Sequence, residues 1–436
     1  MDPQSLLDLD DGESASHRHG YSVGMQCLFV RLVLTGASLR GAAATLAVLA
    51  EAFGWLTPTP HWTTGRLWLL RLGHFMLTRA KDQAKDWVWL IDHSVQIGPQ
   101  KCLAIVGLRL PDLPKPGQAL THIDMQLIAL VPGVSWTQED VDQQLEIAAA
   151  TTGVPRVIVS DHGSDVAGGV RLFQERHPET VDIYDAKHKA ACVLKGLLDK
   201  NPRWQEFQQK VGQTRCAIQQ TELAYLVPPS PKLKSRFMNL GATLQWAKQI
   251  VAILQVPPAI VQQTVSPDRL QEKLGWILAF AADIAEWGEW QAIIDVMVTF
   301  VSENGVYRGV AKALRPALPR QPQYASGVRL QAELLGFLTK QARRLRPNER
   351  VPGSTEVLES LFGHMKQLER QQARGGFTSL LLGFGARLAD ITAKVIKHAM
   401  ENSGTKQVYN WCKEHLGMTL FGKRKLAFAP SATKTG

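Results

Sequence analysis

The 436-residue chain has only five cysteines, and no two of them lie close in sequence. They stand at Cys27, Cys102, Cys192, Cys216 and Cys412. The absence of any C-x-x-C pair argues against a zinc site and against a disulfide framework. Scattered, unpaired thiols are typical of a reducing compartment.

Long apolar runs are also missing. No stretch approaches about 18 consecutive apolar residues, so the sequence predicts no membrane span. The first twenty residues carry five acids against one arginine and lack the basic-then-apolar order of a signal peptide. We therefore expect a cytoplasmic protein.

Acidic residues are fewer than basic ones, with 39 Asp and Glu against 49 Lys and Arg. This surplus of positive charge is compatible with a polyanionic partner but does not prove one. Apolar residues make up 45% of the chain, enough to build large cores. The length predicts two or three domains.

Changes in composition and periodicity divide the chain into six predicted segments. The early helices surround a Pro58-Thr59-Pro60 turn, which favours either a helix-turn-helix or a plain helical cap on the next domain. The segments are an acidic disordered tail (1–24), a helical, helix-turn-helix-like domain (25–82), the first part of an α/β domain (83–189), an all-α insertion (190–349), the second part of the α/β domain (350–400) and a helical, basic C-terminal tail (401–436).

Five short segments read as strands: DWVWLID, KCLAIVGLRL, MQLIALVP, RVIVS and TVDIYD. A helix that opens at Ser135, with Gln138 in the capping-box position, stands before the fourth strand. A second helix over 166–176 stands before the fifth. The order β-β-β-α-β-α-β predicts an α/β fold with an RNase H-like mixed sheet, interrupted by the all-α insertion.

Aspartates stand at the ends of the first and fourth of these strands, Asp92 in WLIDHS and Asp161 in VSDHGSD. In an RNase H-like order the first and fourth strands are neighbours, so the two carboxylates would face one another. Such a pair repels unless a cation neutralises it, and Mg²⁺ takes carboxylate oxygens together with water and phosphate oxygens. The alternative is that each aspartate only caps the turn that follows it.

A third carboxylate is expected from the helix that opens at Gly353-Ser354, in STEVLESLFGHMK. At 100° per residue its apolar side chains share one face. Glu359 and Lys366 fall at the rim of that face, whereas Glu356 falls toward solvent. Glu359 is therefore the better candidate metal ligand and Lys366 a candidate phosphate contact. The alternative is an ordinary exposed Glu/Lys edge.

Together these motifs resemble the DDE-type transposases of bacterial insertion sequences, over about residues 86–390. The matching pieces are WLIDHS, VSDHGSD, IYDAKHKAA, KSRFMNLGATLQWA and STEVLESLFGHMK, and six residues separate Glu359 from Lys366 as in many such enzymes. The tyrosine and arginine that often precede the family's glutamate are not at their usual positions.

The resemblance implies a metal-dependent DNA enzyme. Asp92, Asp161 and Glu359 would hold two Mg²⁺ ions, with Mn²⁺ as a substitute, astride a scissile phosphate. The reaction would be strand cleavage by water and then strand transfer by a DNA 3′-hydroxyl. Partners would be double-stranded transposon ends and target DNA, bound by a homodimer or higher oligomer, in a bacterial, nucleoid-associated location.

Supporting roles follow for further residues. Asp165 would support Asp161, and His188 would orient Asp185 or contact phosphate, unless it is an ordinary structural histidine. Arg66 and Arg71, on the helix near 62–78, are candidate DNA contacts. Trp246 in the insertion would stack on a displaced base, unless it fills a helical core.

Three functions remain open on the sequence. The first is an active transposase that cuts and joins DNA. The second is a catalytically inactive DNA-binding regulator derived from one. The third is an RNase H-like nuclease that cuts without joining strands.

Overall fold

The computed structural model describes residues 20–54, 58–93, 100–230, 240–371 and 378–429. The chain divides into two compact units. The first contains the described residues up to Pro114, Leu120–Asp182 and those from Thr355 onward, and the second contains Lys115–Ala119 and Ile183–Ser354. The predicted disordered tail lies outside the described residues except for 20–24. The six segment boundaries stay predictions, since this division does not test them individually.

The first unit begins with three helices, α1 (Val23–Leu34), α2 (Leu39–Phe53) and α3 (Trp62–Thr78). Ser22 and Ser38 begin the first two helices because each side chain accepts a hydrogen bond from an otherwise unpaired backbone N–H. The predicted N-terminal helices are thus confirmed.

The α/β part follows as β1 (Trp87–His93), β2 (Lys101–Arg109), β3 (Gln126–Gly133), α4 (Gln138–Thr152), β4 (Val157–Ser160), α5 (Ser164–Arg176) and β5 (Val181–Tyr184). These strands form one sheet in the order β3-β2-β1-β4-β5. β2 is antiparallel to β1 and to β3, while β4 is parallel to β1. The predicted element order is confirmed.

One face of the sheet packs against α4 and α5 through a buried apolar cluster that includes Trp89, Ile158 and Phe173. α4 begins two residues later than predicted. Its N-cap is Thr137, whose side chain accepts from the Asp140 N–H while the Asp140 carboxylate accepts from the Thr137 N–H. The expected cap at Ser135 is therefore wrong, since this Thr/Asp box closes the first turn instead.

Apart from the end of β5 and one small strand pair, the described residues of the second unit form helices and their connections. Trp204, Phe207 and Trp287 pack edge to face or tilted in its core. The two-residue strands β6 (Val306–Tyr307) and β7 (Arg350–Val351) pair antiparallel and were not predicted. The helices are α6 (Ala186–Leu198), α7 (Pro202–Ile218), α8 (Leu240–Gln255), α9 (Ala259–Thr264), α10 (Pro267–Leu274), α11 (Ala281–Asn304), α12 (Val310–Leu314) and α13 (Ala325–Ala342).

The chain then returns to the first unit as α14 (Glu356–Arg370), α15 (Gly383–Arg387), α16 (Ala393–Asn402), α17 (Thr405–His415) and α18 (Leu420–Ala427). α14 packs on β1, and α3 packs on β3 and on α15. A Cβ added at Gly385 would lie 3.1 Å from Leu127, a β3 residue next to Ile128, whose side chain belongs to the cluster on the other face. Helices therefore cover both faces of the mixed sheet, and the α/β fold class is confirmed.

No helix of the described ranges combines the length and the hydropathy that crossing a membrane requires.

Candidate active site

Asp92 and Asp161 lie at the same edge of the sheet. The parallel pairing of β1 with β4 ends with Ile91 opposite Ser160. Asp92 directly follows Ile91, and Asp161 directly follows Ser160. Neighbouring strands are separated by about 4.8 Å, so this register brings the two residues side by side. Because side chains alternate along a strand, Asp92 points away from α4 and α5, toward the face that α14 covers.

The Asp161 carboxylate is partly used by its own turn. Oδ1 accepts a hydrogen bond of 2.9 Å from the Gly163 N–H. Between them His162 has a φ of 57°, a left-handed conformation that non-glycine residues seldom adopt. Its ring lies 3.0 Å from Asp182, which fixes the turn. The structure therefore contains the turn-capping contact that was the alternative interpretation of Asp161. This contact uses Oδ1 and leaves Oδ2 for another partner.

His93 is a residue of this site that the sequence reasoning did not single out, although it is part of the WLIDHS motif. Its Nε2 lies 3.0 Å from Oδ2 of Asp165, on the first turn of α5. The ring also packs at 5.3 Å from that of Trp136. Burial lowers the pKa of His93, and the charge of Asp165 partly opposes that shift. At pH 7 the imidazole is therefore mainly neutral.

Asp165 thus contacts the end of β1 through His93. Its other oxygen, Oδ1, accepts from the backbone N–H of Val166 at 3.0 Å. The carboxylate therefore connects the end of β1 to the start of α5. This position beside the aspartate pair is compatible with the supporting role predicted for Asp165.

Glu359 is on the first turn of α14 and is half-buried. The inward face predicted for this helix is confirmed: Leu358, Leu361, Phe362 and Met365 are all buried. The helix begins at Glu356 behind an N-cap at Thr355, slightly later than predicted. Lys366, two turns further on, is exposed. The expectation that Glu356 faces solvent is wrong, since it is half-buried like Glu359.

The predicted metal centre is only partly assembled. Among the residues that the structure describes, no group of three or more His, Cys, Asp or Glu side chains is arranged to hold a metal ion. The Asp92/Asp161 pair suits Mg²⁺ by its chemistry, because this ion binds through one or two carboxylates plus water and phosphate oxygens. Glu359 is on a helix that contacts the same strand, but it does not complete a three-carboxylate group.

Asp185 and His188 belong to the second unit. Asp185 is fully buried and caps α6, accepting hydrogen bonds of 2.7 and 3.0 Å from the N–H groups of Lys187 and His188. The His188 Nδ1 lies 3.7 Å from the same carboxylate. This distance is too long for a hydrogen bond, so the predicted role of His188 in orienting Asp185, like its contact with phosphate, stays a prediction.

The structure corrects the assignment of Arg71 as a DNA contact. Arg71 is 5% exposed, and its guanidinium donates to the carbonyl of Ser403 at 2.6 Å and to that of Met400. Arg66, on the same helix, is half-buried and donates to the Ser379 hydroxyl. An arginine held inside by backbone carbonyls cannot reach a phosphate without unfolding its surroundings.

Trp246 is likewise a core residue, so its assignment as a stacking platform is wrong. The side chain is 7% exposed, and its Nε1–H donates to the Leu226 carbonyl at 2.8 Å. Its apolar ring is buried and its N–H is hydrogen-bonded within the second unit, as expected for a buried tryptophan.

Comparisons with known proteins add little to this geometry. A scan against protein-family models found no match, and a search of curated proteins found none. Among solved structures, the chain matches one titled "Drosophila P element transposase strand transfer complex" over 92% of this chain and 96% of that chain, at 12% identity and a TM-score of 0.38. The neighbour is a transposase. A similarity this distant carries no argument about activity, so the functional proposal depends on the residues above.

Proposed function

We infer that this chain is a DNA-processing enzyme of the DDE transposase type, which cuts DNA strands and joins them to a target. The observation that carries the inference is the parallel register of β1 with β4, which places Asp92 and Asp161 side by side at the carboxyl ends of neighbouring strands. Open α/β sheets commonly bind ligands at this edge. The transposase-like motifs in the sequence contain the same two residues.

In this proposal Asp92 and Asp161 supply carboxylate oxygens to Mg²⁺, and Glu359 approaches from α14. Bound Mg²⁺ would polarise the scissile phosphate and stabilise the charge that develops on it. The contact between His93 and Asp165 holds the end of β1 against the start of α5, and so fixes the spacing of the aspartate pair. Lys366 contacts a phosphate of the bound strand.

The test uses the full chain and DNA duplexes that carry the sequences flanking its gene. Strand cleavage and joining are followed on labelled duplexes with Mg²⁺ and with EDTA. Asp92→Asn and Asp161→Asn are each expected to lower cleavage at least 100-fold while leaving duplex binding within about twofold. The matched control is Asp112→Asn, an exposed aspartate in the short turn after β2, at the opposite edge of the sheet.

The outcomes separate the three functions. Metal-dependent cleavage followed by joining supports the transposase. Cleavage without joined product supports an RNase H-like nuclease. Specific binding without cleavage supports a regulator, for which the turn-capping contact of Asp161 with Gly163 is a specific structural reason. Cleavage that survives both aspartate substitutions would show that this edge of the sheet is not the active site.

A further inference from the structure

The helix α2 leaves most of its apolar surface in solvent. Only Ala42 and Leu46 among its 15 residues are buried. Val48 is 63% exposed, and Ala44 and Ala47 are exposed on the same side of the helix. A surface helix ordinarily turns polar residues outward, whereas the outward residues of α2 are mainly apolar. This face therefore suits contact with another protein surface better than contact with water.

The middle of the outward face is a line of four exposed residues, which we call the α2 stripe. It consists of Arg40, Ala44, Ala47 and Glu51. At 100° per residue these positions fall within about 60° of one another. They recur at spacings of four, three and four residues, the spacing at which two helices pack along a seam. Arg40 and Glu51 stand at opposite ends of the stripe, about 17 Å apart along the axis, and so cannot reach each other.

Both charges of the α2 stripe oppose the dipole of their own helix. Arg40 lies in the first turn, where the backbone N–H groups already supply positive partial charge, and Glu51 lies in the last turn, beside the negative carbonyl end. Neither forms an ion pair with another residue in the described ranges. Arg40 lies over the Trp62 ring at 5.2 Å from its centroid, a contact that does not neutralise the guanidinium. Both charges are therefore placed unfavourably in the single chain.

A second copy of α2 in antiparallel orientation would compensate both charges. With a twofold axis midway between Ala44 and Ala47, each of these alanines faces the other one of the second copy. The same axis places Arg40 opposite Glu51 of the second copy, at the end of that helix where its dipole favours the charge. Alanine lets two helix axes approach to about 8 Å. A patch that is complementary to itself in this way is what a twofold-symmetric dimer requires.

We propose that α2 is a dimerisation surface, on which a second copy of this chain packs antiparallel along the α2 stripe. DNA is a poorer occupant, because the two charges of the stripe cancel, whereas surfaces that bind DNA carry an excess of Lys and Arg. One helix pair buries less than the roughly 800 Å² per partner of stable complexes, so the dimer should depend on concentration. The inference does not depend on the proposed strand cleavage, because it requires neither Mg²⁺ nor the aspartate pair.

The test measures the association of the full chain by sedimentation velocity without DNA, from about 1 to about 100 µM. The wild-type chain is expected to show a monomer–dimer equilibrium. Arg40→Glu sets acid against acid at both ends of the stripe, and Glu51→Arg sets base against base, so each should weaken the dimer at least tenfold. Both substitutions suit the dipole of α2, so each variant should keep its fold, which circular dichroism checks. An equimolar mixture of the two variants pairs acid with base and should dimerise within threefold of wild type.

A further pair of variants tests the position of the seam. Ala47→Arg puts a long charged side chain into the middle of the α2 stripe and should weaken the dimer at least tenfold. Thr45→Arg adds the same charge at an exposed position about 130° round the helix, and should leave the dissociation constant within twofold.

Three results would overturn the proposal. The first is a wild-type chain that stays monomeric at the highest concentration. The second is an equal effect of Ala47→Arg and Thr45→Arg, or a mixture of the two charge variants that associates no better than either alone, since the copies would then meet through another surface. The third is an Arg40→Glu chain that loses duplex binding while its dimerisation is unchanged, which would identify the stripe as a DNA contact.

Discussion

The helices α3 and α14 were both expected to present DNA-facing residues, and they differ in how much of their surface is buried. Every residue of α3 from Trp68 to Met76 is buried, including Arg71. In α14 one apolar stripe is buried, while Glu359 is half-buried and Lys366 is exposed. Arg71 on the first helix stabilises the fold, whereas Lys366 on the second is available to a ligand.

The difference can be traced to the pattern of each sequence. In WTTGRLWLLRLGHFMLT, apolar residues occupy every side of the helix, and a helix that is apolar all round is a buried one. In EVLESLFGHMKQLER, the apolar residues recur at spacings of three and four, which leaves a polar face. Arginine in a pattern of the first kind is better interpreted as a core residue than as a DNA contact.

The largest loss of stability is expected from a substitution at Gly73 of α3. A Cβ there would lie 1.8 Å from the Leu382 carbonyl oxygen, a backbone atom that cannot move aside. Gly73→Ala should therefore lower the free energy of unfolding by about 3 kcal/mol or more. The control is Gly363→Ala on α14, where no atom lies within 4 Å and helix propensity should raise stability by up to about 1 kcal/mol. Urea denaturation measures the free energy of unfolding of both variants. Similar changes for the two variants would contradict the difference between α3 and α14.

Arg71→Gln should give the next largest effect. The substitution leaves the buried carbonyls of Ser403 and Met400 without their donor, which should destabilise the chain by roughly 2–4 kcal/mol. The salt dependence of DNA binding by the folded variant should not change. Lys394→Gln, an exposed substitution on α16, is the control and should leave thermal stability near wild type. A stable Arg71→Gln protein with weakened DNA binding would restore the original assignment.

Glu369, near the end of α14, predicts a pH effect. Burial raises the pKa of this carboxyl from 4.5 to about 7, so ionising it disfavours the folded state. The protonated carboxyl therefore contributes fully to the free energy of unfolding below about pH 4.5, and this contribution is lost as the pH rises through 7. Glu369→Gln should raise the free energy of unfolding by about 1–2 kcal/mol at pH 8, allowing for partial solvent screening, and change it little at pH 4.5.

The control for Glu369 is the exposed Glu401→Gln on α16, which should have the same small effect at both pH values. A gain from Glu369→Gln that is equal at pH 4.5 and pH 8 would show that the carboxyl does not titrate as described.

The smallest effect on stability is expected at Lys366. Because the side chain is exposed, Lys366→Gln should change the free energy of unfolding by less than about 0.5 kcal/mol. If Lys366 contacts phosphate, the slope of log DNA affinity against log salt concentration should decrease in magnitude by roughly one. Arg171→Gln provides the matched loss of charge, and an identical slope for both variants would exclude a specific contact.

Sequence reasoning located the sheet and the aspartate pair because both depend on local patterns. The apolar runs define β1 and β4, and their parallel register follows from the element order, so Asp92 and Asp161 could be paired in advance. The start of α4 was missed because two capping patterns overlap there, and only packing decides between Ser135 and Thr137.

The errors arose where distant segments decide a residue's environment. The hydrogen-bond partners of Arg71 follow it by more than 300 residues, and no local sequence pattern predicts them. The contact of His93 with Asp165 also joins two elements that are separated in sequence. Such contacts depend on tertiary packing, which a single sequence does not specify by periodicity.

The interruption of the first unit has a consequence for synthesis on the ribosome. The second unit's main segment, Ile183–Ser354, must be translated between β4 and the helices α14–α17. At about 5–20 residues per second, those roughly 170 residues take on the order of 10–35 s. During that interval α3 has emerged without the carboxyl-terminal segments that cover it, so its apolar surface is open to chaperones and to other nascent chains. The second unit, which is nearly continuous in sequence, has no such delay.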